Sequence, residues 1–305
     1  MMRSSELWSE LRDELQEYGD CSLALEQDGG IHICLSEKEF ADRKDQLETL
    51  YSHQNGKFKY EMLDRNALLD IQPGLGPDVV GGSWCPHDGH VNPLYLLRSL
   101  HNCFLKRNGQ SLHDAEVFDI THGEGVFDVF SRKGQFQAPC LVLAAGLGNH
   151  KLAPLIGLKQ PVRPQKGQIL VTQKIDQLID VPMTLLRQTA EGSVMIGDSK
   201  EEVGFDINSS IDIMAQIADR ARRTLPVLEK QQIIRSWAAL RVMSPDGFPM
   251  YDQSESCPGG FAITCHSGVT LAAAHCFDMA ADIEEGNFGI GLQAFSERRF
   301  DVSAH

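Results

Sequence analysis

Basic residues are scarce in this chain: 28 Lys and Arg stand against 42 Asp and Glu, a formal net charge of -14. Nucleic acid and anionic membranes call for clustered Lys and Arg, so neither is expected as a partner; a local basic site for a small anion stays open. No run of about 18 apolar residues occurs, so no transmembrane segment is expected. The opening residues, MMRSSELWSELRDEL, contain no apolar h-region and are not read as a secretory signal. Internal repeats and low-complexity linkers are missing as well. No two of the eight cysteines (Cys21, Cys34, Cys85, Cys103, Cys140, Cys257, Cys265, Cys276) show C-x-x-C spacing, which leaves a disulfide framework or zinc site unsupported. Cys140 in PCLVLAAG and Cys276 in LAAAHCF lie in apolar runs, so the expectation is buried, reduced thiols in a cytoplasmic protein.

What is present suits a folded chain. A 42% hydrophobic and 23% charged composition over 305 residues can build one large domain or two interleaved ones. Leu7, Trp8, Leu11 and Leu15 share a helical face, so residues 4–17 read as a helix. CSLALEQDGGIHICLS reads as a hairpin turning at Asp28-Gly29-Gly30. Residues 37–52 and 61–70 look helical, with Asp64 as a helix cap and a stop near Pro73. VVGGSWC is strand-like, PHDGHVNP a loop, and PLYLLRSLHNCFLKRNG an amphipathic helix opened by Pro93 and closed by Gly109. AEVFDITHG and GVFDVFSRKG alternate like paired strands. QAPCLVLAAG reads as a strand buried on both faces, the mark of a parallel sheet. PVRPQKGQILVTQ, TLLRQT and GSVMIGDS are strand-like, residues 210–224 helical, and residues 228–240 extended. FAITC is a buried strand that turns into a long apolar helix. The class is α/β or α+β.

Four segments could carry chemistry. In FAITCHSGVTLAAAHC a strand ends, the chain turns at His266-Ser267-Gly268, and a helix begins. Free N–H groups at a helix start can donate to an anionic or carbonyl oxygen, although a plain turn with a serine cap fits the residues too. CLVLAAGLGNHKLAPLIGL has a strand, a turn with Gly146 and Gly148, and a helix, yet the G-x-G-x-x-G fingerprint fails at its third glycine, where Lys151 stands. In WAALRVMSPDGFPMY, Arg241 lies in an apolar strand. It could clamp a ligand carboxylate or pair with one of the chain's own acids. WCPHDGHVNP offers His87 and His90 with Asp88 between them, but no third metal ligand, so no metal is assigned. GIGLQA at 289–294 fits G-x-G-x-x-A only formally, since no strand precedes it and eleven residues follow.

In order, these segments resemble the FAD-dependent family of D-amino-acid oxidase and dehydrogenase, glycine oxidase and monomeric sarcosine oxidase. The likeness is strongest to the small-subunit type of opine oxidases, D-hydroxyproline dehydrogenases and hydrogen cyanide synthase. HDGHVNPLYLLRSL, AEVFDI, VLAAGLGN, PVRPQKGQILVT, IGDSKEEVGFD, LRVMSPDGFPM and GGFAITCHSGVTLA carry it. The resemblance implies that Cys265, His266, Ser267, Gly268, Val269, Thr270 and Leu271 lie against the isoalloxazine, with backbone N–H groups near Gly268 to Thr270 facing the N1–C2=O edge. It makes Arg241 the holder of the substrate carboxylate and puts Arg241 and His266 at the catalytic centre. Val117 would meet the adenine side of FAD, and Gly146 and Leu147 would pass near pyrophosphate and ribitol.

Family members open with a strand, G-x-G-x-x-G, a helix, a second strand and a ribose-binding acid, and none of these precedes Ser4. By the size of a βαβ unit and a flavin loop, roughly 60 residues are lacking. The expectation is that this chain alone binds FAD weakly or not at all. The rest would sit on another chain, be lost by truncation, or lie upstream of a misassigned start. The implied fold is an incomplete Rossmann-like FAD-binding domain (1–17, 80–158 and 245–305) interleaved with a mostly antiparallel substrate-binding domain (18–79 and 159–244). The implied reaction is oxidation of the C–N bond of a small amino acid, imino acid or amine by hydride transfer to FAD. A partner subunit would supply the lacking segment or accept electrons. The alternative is a non-catalytic truncated homologue or a subunit completed by another chain.

Overall fold

The computed structural model describes residues 1–18 and 22–301, so Cys21 lies outside the described residues. Eight α-helices are described: α1 (Met2–Tyr18), α2 (Glu37–His53), α3 (Arg65–Ile71), α4 (Pro93–Lys106), α5 (Asn149–Leu152), α6 (Ile211–Thr224), α7 (Gly268–Ala274) and α8 (Ala280–Glu284). α1 forms where the apolar period placed it. Its buried Leu7, Trp8, Leu11 and Leu15 meet Leu96 and Cys103 of α4 and Ala273 of α7. Side chains of this kind contribute about 1.5–3 kcal/mol each when fully removed from water, enough to fix α1 against the start of α7.

Strands β1 (Gly30–Cys34), β2 (Glu61–Asp64) and β3 (Gly81–Cys85) form an antiparallel sheet in the order β1-β3-β2. β4 (Val117–Gly123), β5 (Val126–Ser131) and β6 (Gly134–Ala138) form a meander. β7 (Leu141–Leu143) runs parallel to a later strand, described below with its sheet. β8 (Arg163–Lys174), β9 (Leu186–Gln188), β10 (Ser193–Ile196) and β11 (Ile233–Met243) form a four-stranded antiparallel sheet in the order β11-β8-β10-β9. The segment 182–184 joins the first sheet to this one: Ile31 N–H donates to the Pro182 carbonyl, and Thr184 N–H to that of Ile31, both at 2.9 Å. One apolar core, with Leu68 of α3, Ile217 and Ala221 of α6, and Leu170, Leu186, Val194 and Ile196 of the strands, covers one face of the larger sheet. The fourth sheet has the order β12-β13-β7. In it β12 (Met250–Gln253) is antiparallel and β7 parallel to β13 (Gly260–Thr264).

Several local expectations change. No hairpin forms at Asp28-Gly29-Gly30. β1 pairs with β3, and Glu26 makes only an isolated bridge with His90. The glycines serve close approach instead: a Cβ on Gly29, whose φ is +104°, would collide with the Trp84 indole nitrogen, and one on Gly30 would lie 2.8 Å from Asp88 Cβ. Residues 61–64 are a strand, because Met62 and Leu63 pair with Ser83 and Gly82; Asp64 then caps α3 by accepting the Ala67 N–H at 2.9 Å. α4 closes through Asn108, which takes the left-handed conformation at φ +63°, ahead of Gly109.

QAPCLVLAAG is not one doubly buried strand. Pro139 and Cys140 split it between β6 and β7, and proline cannot donate to a ladder. β7 is an edge strand with Val142 exposed, and Cys140 and Cys276 are exposed rather than buried. Apolar runs here serve two sheets and an open edge, which hydrophobicity alone does not distinguish.

One half-buried group ties the first sheet to pH. Burial, then the neighbouring Arg43 and Arg220 guanidiniums, push the His32 imidazole down to about 4 against Glu39, which opposes them. Its Nδ1 lies 2.9 Å from Thr184 Oγ1. The unfolded chain therefore takes up the proton first as pH falls. This contribution to stability is complete above the ordinary value of 6.5 and lost progressively down to about 4. After discounting for partial exposure it amounts to about 1–2 kcal/mol. Between pH 7 and 4.5 the wild type should lose about that much more unfolding free energy than His32→Gln; equal pH slopes would contradict the assignment.

Candidate active site

Two features converge at the carboxyl ends of the parallel strands β7 and β13. The first is the start of α7, which continues through a π turn (His275–Met279) into α8. Ser267 makes no side-chain cap, and the first backbone bond runs from Leu271 N–H to the Ser267 carbonyl at 3.0 Å. The N–H groups of Gly268, Val269 and Thr270 are thus left for an outside acceptor. The end of this turn is anchored from behind by α1: Ser4 Oγ donates to the Thr270 carbonyl at 2.6 Å, and Trp8 Nε1 reaches the same oxygen at 3.3 Å. Cys265, whose thiol burial pushes up, precedes the turn, and Leu271 is buried behind it.

The second feature is the turn after β7. Gly146 and Leu147 lie in a 3-10 turn, Gly146–Gly148. Gly146 has φ +57°, and a Cβ there would sit 3.4 Å from Val242 Cγ2, next along the chain from Arg241. Asn149, wholly buried, holds the two strand ends together. Its side-chain amide donates to the Leu143 carbonyl at 3.0 Å, the Ile263 carbonyl at 3.0 Å and Thr264 Oγ1 at 2.8 Å, and its oxygen accepts the Ala145 N–H at 3.0 Å. Sequence reasoning gave Asn149 no role. The signal was there, in a residue with paired donor and acceptor capacity directly after a glycine turn.

Arg241 lies on the face of the larger sheet opposite the core. It stands across from Gln165 on β8, and its guanidinium rests on Gly167, where a Cβ would collide with Nη2. Nη2 pairs with Asp198 Oδ2 at 2.7 Å, and Nη1 donates to the Ser199 and Lys166 carbonyls at 2.8 and 3.3 Å. Both readings of Arg241 are therefore physically available: it has a protein carboxylate, and it keeps donors free. His266 shares its surroundings. Burial first, then the positive charges of Arg241 and Lys200, hold this imidazole below its ordinary value, with Asp198 opposing. Asp198 and Lys200 were also missed; nothing in IGDSKEEVG marks them beyond charge. Beneath them the buried Lys166 ammonium meets Asp206 at 3.0 Å and Glu201 at 3.2 Å, which anchors the 199–208 loop on the core side.

The remaining candidates sit elsewhere. Val117 opens β4, opposite Ser131, and packs on the Ile120 and Phe127 cluster. His87 and His90 have different partners: His87 Nε2 accepts the Lys59 N–H at 3.3 Å, and His90 Nε2 faces Glu26 at 3.7 Å. Among the described residues no group of three or more His, Cys, Asp and Glu could hold a metal ion. No helix among them is long and apolar enough to cross a membrane.

Comparison with known proteins decides the family. Residues 1–281 match the family described as DAO, FAD dependent oxidoreductase. This chain belongs to that family. It is 40% identical over 306 aligned positions to a subunit of the opine oxidase of Agrobacterium tumefaciens (strain Ach5), covering 97% of this chain and 80% of that protein. It is 25% identical to hydrogen cyanide synthase subunit HcnC of Pseudomonas protegens, over 98% of this chain and 73% of that one. In fold it is similar to the crystal structure of glycine oxidase from Geobacillus kaustophilus, with a TM-score of 0.88, 22% identity, and 99% and 82% of the two chains covered. The chain is thus an FAD-dependent oxidoreductase of mixed helix and sheet. The residues present fit a flavin: an uncapped helix start offers N–H groups to a carbonyl edge, at the strand ends that also carry the Gly146 turn.

Proposed function

We propose that this protein oxidises the C–N bond of a carboxylate-bearing amino acid, imino acid or amine, the hydride leaving the α-carbon. FAD, when bound, supplies the hydride acceptor. Arg241 holds the substrate carboxylate with charge-assisted hydrogen bonds, and Asp198 keeps the guanidinium flat on Gly167. The N–H groups of Gly268 to Thr270 donate to the flavin's N1–C2=O edge, a fixed dipole that favours negative charge there. His266, held neutral beside Arg241, adds no charge to compete with the carboxylate. None of these groups acts as a strong base; alignment of the α-C–H is the main contribution of the chain.

The observation that carries this reading is Arg241 on the open sheet face beside His266 and Asp198. With it we propose a domain division, residues 1–17, 80–158 and 245–305 on the FAD side and residues 18–79 and 159–244 on the substrate side, except that β3 goes with the substrate side because it pairs with β1 and β2. Because two of its relatives are named as subunits, we also propose a partner subunit, in the cytoplasm, that completes the enzyme or takes its electrons. The relative named for opines favours N-carboxyalkyl amino acids as substrates. The FAD-loaded protein, prepared with any partner chain it needs, should release a 2-oxo acid from such a compound in the presence of a dye acceptor. Failure to release one from any amino acid or secondary amine would overturn the reading.

A further inference from the structure

Arg187 is a half-buried arginine with no carboxylate within ion-pair distance among the described residues. Nη1 donates to the Val91 carbonyl at 2.9 Å, and Nη2 reaches only the Met195 thioether, also at 2.9 Å. A thioether is a weak acceptor, and a guanidinium has five N–H donors, so this group is short of partners. His90, next to Val91, has a buried Nδ1 with no hydrogen-bond partner. Arg187 and His90 line one cavity of about 50 Å³, bounded also by Glu26 and Thr189. His90 and Glu26 in turn line a neighbouring cavity of about 130 Å³ that reaches Trp8, Val269 and Thr270. The unsatisfied pair thus connects to the start of α7.

Strand register puts Arg187 on the same sheet face as Arg241. Arg187 pairs with Met195, and Met195 with Val171, while their neighbours Leu186, Val194 and Ile196 are in the core on the other face. Val171, Gly167 and Gln165 differ by even steps along β8, so they share that open face with Arg241, which stands across from Gln165. One arginine is at the β11 edge and one at the β9 edge. The first already has Asp198; the second has a sulfur.

We propose that Arg187, with His90, is a second carboxylate subsite, so that the enzyme prefers amines bearing a distal carboxylate in addition to the one held by Arg241. This rests on the reading of Arg241 given under Proposed function. A ligand carboxylate replaces the Met195 sulfur as acceptor and leaves the Val91 contact in place.

The test uses the FAD-loaded holoenzyme and a matched pair of secondary amino acids, N-methylglutamate and N-methylnorvaline, which differ by the distal carboxylate. The ratio of their kcat/KM values should fall roughly 10- to 100-fold in Arg187→Met, through KM rather than kcat, with partial recovery in Arg187→Lys. An equilibrium titration with glutarate and butyrate, read by the flavin absorbance shift, gives a second measure. Glutarate should bind the wild type roughly tenfold or more tightly than butyrate, and Arg187→Met should erase the difference. An unchanged ratio, or no wild-type preference for glutarate, overturns the subsite. Turnover of neither amino acid by the wild type counts against the proposed function, while the titration still judges Arg187.

Discussion

Arg241→Lys should lower kcat/KM for carboxylate-bearing amines by roughly 30- to 1000-fold, mostly through KM, with the bound-flavin spectrum unchanged. A lysine is a point charge and cannot reproduce two parallel N–H donors in one plane. The structure sharpens the competing view, because Asp198 already occupies Nη2 at 2.7 Å. With 21% of the arginine and 37% of the aspartate side chain exposed, that ion pair is worth only about 1 kcal/mol to folding. A purely structural arginine would therefore show a lower melting temperature and little kinetic loss. If Arg241→Lys lowers Tm but leaves kcat/KM within roughly threefold, the carboxylate role should be dropped.

Asn149→Ala should be among the most destabilising single changes in the protein, at about 3–5 kcal/mol. It removes four hydrogen bonds at once and leaves two strand carbonyls, an N–H and a hydroxyl in a dry site. The loss falls where β7 and β13 deliver the Gly146 turn and the His266 turn side by side, so flavin affinity should weaken with stability. The midpoint of urea unfolding, with an unchanged m value, reads the first effect, and a flavin titration the second. A cost under about 1 kcal/mol would mean that the clasp is dispensable.

The sequence was most readable where one period or one cap decides an element. The 3.6 spacing of Leu7, Leu11 and Leu15 placed α1, and Pro93 placed the start of α4, where the structure adds Asn92 as a cap that accepts the Leu94 and Tyr95 N–H groups at 3.1 and 3.4 Å. It was misread where tertiary pairing overrides local pattern. Asp28-Gly29-Gly30 has the composition of a hairpin turn, but its glycines make room for Trp84 and Asp88. The run through Pro139 looked like one buried strand and divides between two sheets. Within the site, motif order brought out Arg241 and the His266–Thr270 turn. Asp198, Lys200, Asn149 and Arg187 stayed hidden, because their significance lies in what they meet across 40 or more positions of chain, such as Asp198 with Arg241 and Asn149 with Thr264.

The most direct test of the account is anaerobic mixing of the FAD-loaded protein, wild type and Arg241→Lys, with an N-carboxyalkyl amino acid and with the corresponding secondary amine lacking both of its carboxylates. The account predicts that the carboxylated compound bleaches the wild-type flavin in a single turnover, that the decarboxylated amine does so poorly, and that Arg241→Lys needs far higher concentrations of the carboxylated compound. Equal bleaching by the two compounds, or equal concentration dependence in the two proteins, would contradict it.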